Sequence, residues 1–368
     1  MEDVPAMDAA IDFEFEAHAS PVAAGTRAEI LANPGFGKAL TDHMVVINYE
    51  EGRGWHSARV VPHAPFQINP ACAVLHYAQE IFEGLKAYRL PDGGAALFRP
   101  EANARRFNES AARMAMPALP EEMFLESLNQ MVRADEGWIP EIEGGSLYLR
   151  PFMFASETFL GVKPASEFTY MVIASPAGAY FKGAESVTLW ASEHYTRAAP
   201  GGTGAAKCGG NYAASLVAQA EAIREGCHQV VFLDAVQNRF VEELGGMNIM
   251  FVFEDGSIQT PPLGGTILPG ITRDSLLTLA RDAGMTVREE RYGIDQWKAD
   301  ATSGKLREAF ACGTAAVVTS IGKVRGRGFE FGIGNQGPGI VAQKLKADLV
   351  AIQRGRAPDP HGWVKRLF

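Results

Sequence analysis

The stretch best suited to chemistry is residues 200–215, PGGTGAAKCGGNYAAS, where five glycines surround Lys207. Glycine lets a backbone approach a ligand closely. Small neighbours leave room for a bulky adduct on the lysine. A desolvated lysine has a lowered pKa and becomes a nucleophile, the usual route to imine chemistry. Tyr212 follows at a distance that lets its hydroxyl meet the same adduct. A phosphate-binding P-loop would need Gly-Lys followed by Ser or Thr. Here Ala206 precedes Lys207 and Cys208 follows it. The plain alternative is a solvated surface lysine, the usual fate of that residue type. Partners elsewhere in the chain must separate the two.

An imine-forming cofactor such as pyridoxal 5'-phosphate needs an acid at its ring nitrogen, a cup for its phosphate and a grip on the substrate carboxylate. The segment 240–250, FVEELGGMNIM, offers Glu242 and Glu243 before a Gly-Gly turn. A carboxylate on a pyridinium is a charge-assisted bond worth about 1.5–3 kcal/mol. Segment 262–277, PLGGTILPGITRDSLL, is a Gly- and Pro-punctuated turn leading into a helix. The free amides near Ile271 and Thr272 would face an anion. The turn CGTA at 312–315 adds backbone amides and the Thr314 hydroxyl. Arg106, in NARRF, supplies a planar fork for phosphate oxygens, with Arg105 beside it read as a surface residue. Each piece alone has an ordinary structural explanation: solvated glutamates, a capped helix, a strand-to-strand turn. Their joint presence is what counts.

These pieces need elements to position them. Residues 1–35 read as a loosely structured arm. Strands are expected at 43–49, 57–61, 86–90, 95–98, 146–154 and 168–174. A helix is expected near 76–83, because Leu75, Ala78, Ile81 and Phe82 recur at helical spacing. Further helices are expected at 101–115, where Pro100 and Glu101 suit a helix start, and at 120–133. The Gly-, Ala- and Ser-rich segment 175–188 reads as an interdomain connection. Beyond it, strands are expected at 187–192, 229–234, 248–254, 286–292 and 309–319. Helices are expected at 212–225, 272–283 and 337–354. This mixture predicts α/β or α+β units. The division expected is 1–177, a connecting loop 178–188, and 189–368.

A chain of 368 residues exceeds one ordinary core. Its net charge of -9 disfavours nucleic acid as a partner. Cys72, Cys208, Cys227 and Cys312 are scattered, so neither a metal site nor a disulfide framework is expected. No apolar run approaches the ~20 residues of a membrane span. The acidic first residues resemble no targeting peptide, and a cytoplasmic location is expected.

The chain resembles the branched-chain amino acid aminotransferases, fold type IV pyridoxal-phosphate enzymes with the D-amino-acid aminotransferase-like fold. It is most similar to the group with eukaryotic and mycobacterial members. The resemblance runs from FGKALTDHM (36–44) to HGW (361–363), through LHYAQEIFEGLKAYR (75–89), SLYLRP (146–151), KCGGNY (207–212), EELGGMN (242–248), LPGITR (268–273) and CGTAAV (312–317). It implies that Lys207 joins the cofactor and shuttles the proton at the substrate α-carbon. It gives Tyr212 the phenolic oxygen and Glu243, not Glu242, the ring nitrogen. The phosphate falls to Arg106, the Ile271 and Thr272 amides, and Thr314. The implied substrate pocket is lined by Phe36, Tyr77, Phe82, Tyr148, Arg150, Val162, Tyr180, Thr314 and Ala315. Tyr77 and Val162 would reach the site of a partner subunit, which implies a homodimer. The implied reaction exchanges an amino group between L-leucine, L-isoleucine or L-valine and 2-oxoglutarate, in synthesis or breakdown.

An apolar wall of Phe36, Phe82 and Val162 suits such substrates. Two departures stand out. Some relatives carry Thr where this chain has Gly246. Animal relatives carry a redox-sensitive Cys pair where Ala316 and Thr319 stand here. A D-amino-acid transaminase or aminodeoxychorismate lyase would keep the lysine and the phosphate cup. The segments 36–44 and 75–89 argue against both. A non-catalytic binding protein is disfavoured because Lys207, Tyr212 and Glu243 are all present.

Overall fold

The largely apolar segments 146–155, with three aromatic residues, and 167–177, with Phe168, Thr169, Tyr170, Val172 and Ile173, are buried over most of their length and form the middle of a sheet. The computed structural model describes residues 12–178 and 185–368. The first part runs β1 (Glu14–Phe15), α1 (Ala24–Ala32), β2 (His43–Glu50), β3 (Gly54–Pro62), α2 (Ala73–Tyr77), β4 (Glu80–Phe82), β5 (Leu85–Arg89), β6 (Ala95–Phe98), α3 (Pro100–Arg113), α4 (Glu121–Ala134), β7 (Ser146–Ala155) and β8 (Glu167–Ala177). The second runs β9 (Val187–Ser192), α5 (Gly209–Arg224), β10 (Gln229–Leu233), β11 (Val241–Leu244), β12 (Asn248–Phe253), β13 (Ile258–Thr260), α6 (Ile271–Asp282), β14 (Val287–Glu289), α7 (Ile294–Ser303), β15 (Leu306–Gly313), β16 (Val317–Gly326), β17 (Phe329–Gly332), α8 (Ile340–Gln353) and β18 (Val364–Arg366).

The strands among the described residues form two sheets. The first has the order β1-β3-β2-β8-β7-β5-β6-β18, with β4 pairing β7. The second has the order β11-β10-β9-β16-β15-β12-β13-β14, with β17 pairing β16. Parallel and antiparallel pairs mix in both, so the fold is mixed α/β. Helices α3 and α4 cover the first sheet with Phe107, Phe124, Leu128 and Met131. Helices α6 and α8 share a core with Phe310 and Met250 of the second, and Tyr88 and Phe98 of the first sheet join it. No helix among the described residues is long and apolar enough to cross a membrane.

The structure departs from the sequence reading in several places. The helix expected at 76–83 is a five-residue turn that stops where Ala78 takes a left-handed φ of 49°. Residues 80–82 pair instead with 152–154 of β7. Ile81 is fully buried, and its two neighbours are only partly so, which is the alternation of a strand. The stretch 309–319 is a hairpin, with β15 and β16 separated by the turn at 314–316. The described part of the N-terminal arm holds β1, paired with β3, and the nine-residue α1. Strand β8 extends to Ala177 and β9 begins at Val187, so both strands reach into the stretch 175–188. Strand β18 lies beyond residue 189 but joins the first sheet, paired with β6.

Candidate active site

Lys207 lies just before α5, on a strap whose neighbours Ala206 and Cys208 are buried in the first core. Its amide donates to Ser110 Oγ at 2.9 Å, and its carbonyl accepts from the Phe82 amide at 2.9 Å. Both anchors come from the first part of the chain. Glu80 of β4 accepts the amide of Gly209, the first residue of α5. The strand that replaced the expected helix therefore holds the lysine strap in place.

From this strap the Lys207 Nζ donates to Tyr212 Oη at 2.9 Å. It also sits 4.8 Å from the centre of the Phe82 ring. Phe82 packs on Tyr212 with ring centres 5.0 Å apart, and Arg150 lies over Phe82 at 4.7 Å. Arg150 donates to Tyr148 Oη at 3.1 Å, and Tyr148 meets Phe36 edge-on at 5.0 Å. Arg150 Nε is buried without a hydrogen-bond partner among the described residues. Gly84 makes this arrangement possible, because a Cβ there would overlap the Tyr148 hydroxyl. The expected residues Lys207, Tyr212, Phe82, Arg150, Tyr148 and Phe36 thus form one continuous constellation.

Glu243 is buried, with 2% of its surface exposed. Its Oε1 accepts from Arg197 Nη1 at 2.8 Å and from the Leu268 amide at 2.9 Å. Burial pushes its carboxyl up to about 7, and the Arg197 guanidinium offsets only part of that rise. Glu242, in contrast, is half-buried and accepts from Thr266 Oγ1 at 2.5 Å. The two acids therefore have different surroundings, and Glu243 is the enclosed one.

The candidate phosphate cup gathers at the start of α6. Ile271 and Thr272 are its first two residues, and no side chain caps the helix. Gly270 precedes them, where a Cβ would overlap Asn248 Oδ1. Arg106 Nη1 donates to Pro269 O at 3.0 Å, so the guanidinium borders this turn. Its other edge is held by Glu83, at 2.7 Å from Nε and 2.8 Å from Nη2. Burial opposes ionisation of Glu83, but Arg106 and Asn103 hold its carboxyl below the usual range. Arg105 is exposed, as expected. Thr314 and Ala315 lie in the β15–β16 turn, and Gly313 beside them packs near Met247.

Three expected residues stand apart. Val162 is 90% exposed, and Tyr77 donates to Leu160 O beside it. Tyr180 lies outside the described residues. Sequence reasoning missed Glu83, Arg197, Ser110 and Asn248. Glu83 falls inside the quoted 75–89 motif, between β4 and β5, but nothing local names Arg106 as its partner. Arg197 carries no local signal, since its partner is far along the chain. All four cysteines are free and buried, and burial pushes Cys312 up to about 12.

The donor set fits pyridoxal 5'-phosphate. Glu243 needs a second positive partner to stay ionised, which a protonated ring nitrogen provides. The uncapped α6 and the Arg106 edge suit a phosphate, and Lys207 with Tyr212 suits an aldehyde beside a phenolic oxygen.

The sequence profile of amino-transferase class IV matches residues 80–324. The chain belongs to the class IV aminotransferase family. It is 55% identical over 362 residues to the branched-chain-amino-acid aminotransferase of Mycolicibacterium smegmatis, covering 97% of this chain and 98% of that one. Among solved structures, the branched-chain amino acid aminotransferase of Escherichia coli superposes with a TM-score of 0.74 at 27% identity, covering 88% of this chain and 99% of that one. The branched-chain aminotransferase of the thermophilic archaeon Thermoproteus uzoniensis, solved with norvaline, gives 0.74 at 26% identity, covering 89% and 100%. This class IV aminotransferase shares its fold with both.

Proposed function

We propose that the protein transfers the amino group of L-leucine, L-isoleucine or L-valine to 2-oxoglutarate, using pyridoxal 5'-phosphate held at Lys207. The observation that carries the reading is the 2.9 Å contact of Lys207 Nζ with Tyr212 Oη in a site that also encloses Glu243. The 55% identity to an enzyme named for branched-chain amino acids supports the substrate class. Bound there, the cofactor supplies an aldehyde for imine formation and a ring that draws electrons from the substrate α-carbon.

The chain's own residues do the rest. Lys207 Nζ would serve as the base that takes the proton from the substrate α-carbon and as the acid that gives it back. Tyr212, whose hydroxyl accepts from Lys207 Nζ at 2.9 Å, would hydrogen-bond the cofactor's phenolic oxygen. Glu243 holds a proton at the ring nitrogen. Arg106 and the Ile271 and Thr272 amides, with Thr314, hold the phosphate. Phe36 and Phe82 give an apolar wall for a branched side chain, and Arg150 and Tyr148 take a carboxylate of glutamate or of the 2-oxo acid. Tyr77 and Val162 would complete the pocket of a second copy in a homodimer, and Ala315 would line the same pocket, a role the resemblance gives to Tyr180 as well. The units divide at 1–177, 178–188 and 189–368, with strand β18 returned to the first. The enzyme acts in the cytoplasm on small amino and 2-oxo acids.

The test is glutamate formation from 2-oxoglutarate with each of the three L-amino acids and with D-alanine. Turnover with the L-set alone supports the reading. Turnover with D-alanine alone contradicts the substrate assignment.

A further inference from the structure

A cavity of about 590 Å³ lies between the sheets, and its wall includes Ala315, Val317 and Thr319 on one side and helix α8 on the other. None of Lys207, Tyr212, Glu243 or Arg106 lines it. Its character is cationic. Lys86, Lys346 and Arg354 line it, and none of the three has an ion-pair partner among the described residues. Two carboxylates, Glu143 and Glu185, also border it, and Glu143 is already paired with Arg356 at 3.1 Å.

The cations are placed at a cost. Lys86 is 6% exposed and Arg354 is 4% exposed. Burial, with repulsion from Arg354 and Lys346, draws the Lys86 ammonium down to about 8. Burial lowers Arg354 and Lys346 in the same direction. Arg354 Nε and Gln353 Oε1 are buried without hydrogen-bond partners among the described residues. Like charges gathered around a hollow repel unless an anion sits between them. Lys86 donates to the Ala315 carbonyl, and Arg354 donates to Gly145 O and lies over the Tyr88 ring, so what they hold is neutral and their charge stays unmatched by any bonded carboxylate among the described residues.

We propose that this cavity binds a small polyanion, a molecule carrying two or more carboxylate or phosphate groups, at a site separate from Lys207. Lys86, Lys346 and Arg354 neutralise it. The site communicates with the candidate substrate pocket through one side chain. Lys86 Nζ donates to Ala315 O at 2.9 Å, and Lys86 pairs across β5 and β7 with Tyr148. An anion that draws on the Lys86 ammonium therefore acts on Ala315 of that pocket. The inference goes beyond the proposed reaction and does not depend on it.

The test is calorimetric titration of the cofactor-loaded enzyme with citrate and, separately, with pyrophosphate, at fixed ionic strength. The expected result is saturable binding of one molecule per chain. Lys346 lies on the exposed side of α8, so Lys346→Glu leaves the core intact. It is expected to weaken binding at least ten-fold, and Lys86→Met does the same from the buried side. Binding of citrate alone assigns the site to polycarboxylates, and binding of pyrophosphate alone assigns it to phosphates. The absence of saturable binding by either probe overturns the proposal. Binding unchanged in both variants also overturns it, because the probe then sits elsewhere.

Discussion

At the scale of residues, the central pair is Lys207 and Tyr212. Lys207→Ala removes both the nucleophile and the proton carrier, and turnover is expected to fall by about 10³-fold or more. Steady-state rates with L-leucine and 2-oxoglutarate check it, with circular dichroism showing that the fold is kept. Glu243 gives a pH prediction. Its folded-state carboxyl is raised to about 7, from an ordinary value near 4.5. The folded apoprotein therefore binds a proton that the unfolded chain releases. That stability is full below about 4.5 and is lost as pH rises through about 7. Thermal melts of the apoprotein from about pH 4.5 to about pH 8 should show this loss, and Glu243→Gln should lessen it. An equal pH dependence in both proteins would contradict the assignment. Lys207 and Tyr212 were legible because they lie close together in one segment. Arg197 and Glu83 were not, because their partners, Glu243 and Arg106, are brought to them only by the fold.

At the scale of elements, β4 matters more than its three residues suggest. It carries Glu80 to the start of α5, Phe82 to the Tyr212 ring, and leads into Glu83. Helical spacing of apolar residues at 75–82 misled the sequence reading, because four residues are too few to fix a period. The deciding interaction is the pairing with β7, which local spacing does not contain. Glu83 and Arg106 form a buried pair with 0% and 8% of their side chains exposed. Glu83→Gln leaves the guanidinium without its counter-charge and is expected to cost about 3–5 kcal/mol, measured by urea unfolding. It also loosens the edge that faces the candidate phosphate cup, so cofactor affinity should fall with stability. Gly84→Ala tests the loop between β4 and β5. Its methyl displaces the Tyr148 hydroxyl, and KM for the amino acid should rise more than kcat falls.

At the scale of the whole molecule, the two sheets were foreseen as mixed α/β, but their joining was not. Strand β18 returns to the first sheet through pairing with β6, and Tyr88 and Phe98 enter the core beneath α6 and α8. Both are long-range contacts, invisible to periodicity. The surface makes its own prediction. Val162, Leu160 and Leu75 are exposed at 90%, 67% and 57%, a concentration of apolar side chains that suits burial against a second copy. Val162→Asp should shift sedimentation toward monomer and lower turnover together. A variant with unchanged sedimentation and full activity would contradict the proposed role of Val162 in the pocket of a second copy.

The most direct measurement is the absorption spectrum of the cofactor-loaded protein before and after adding L-leucine without an acceptor. The visible band of the lysine-linked cofactor is expected to fade as the amino group is taken up, and 2-oxoglutarate is expected to restore it. A band that L-leucine leaves unchanged would contradict the substrate assignment, and the lack of any band with added cofactor would contradict the role of Lys207.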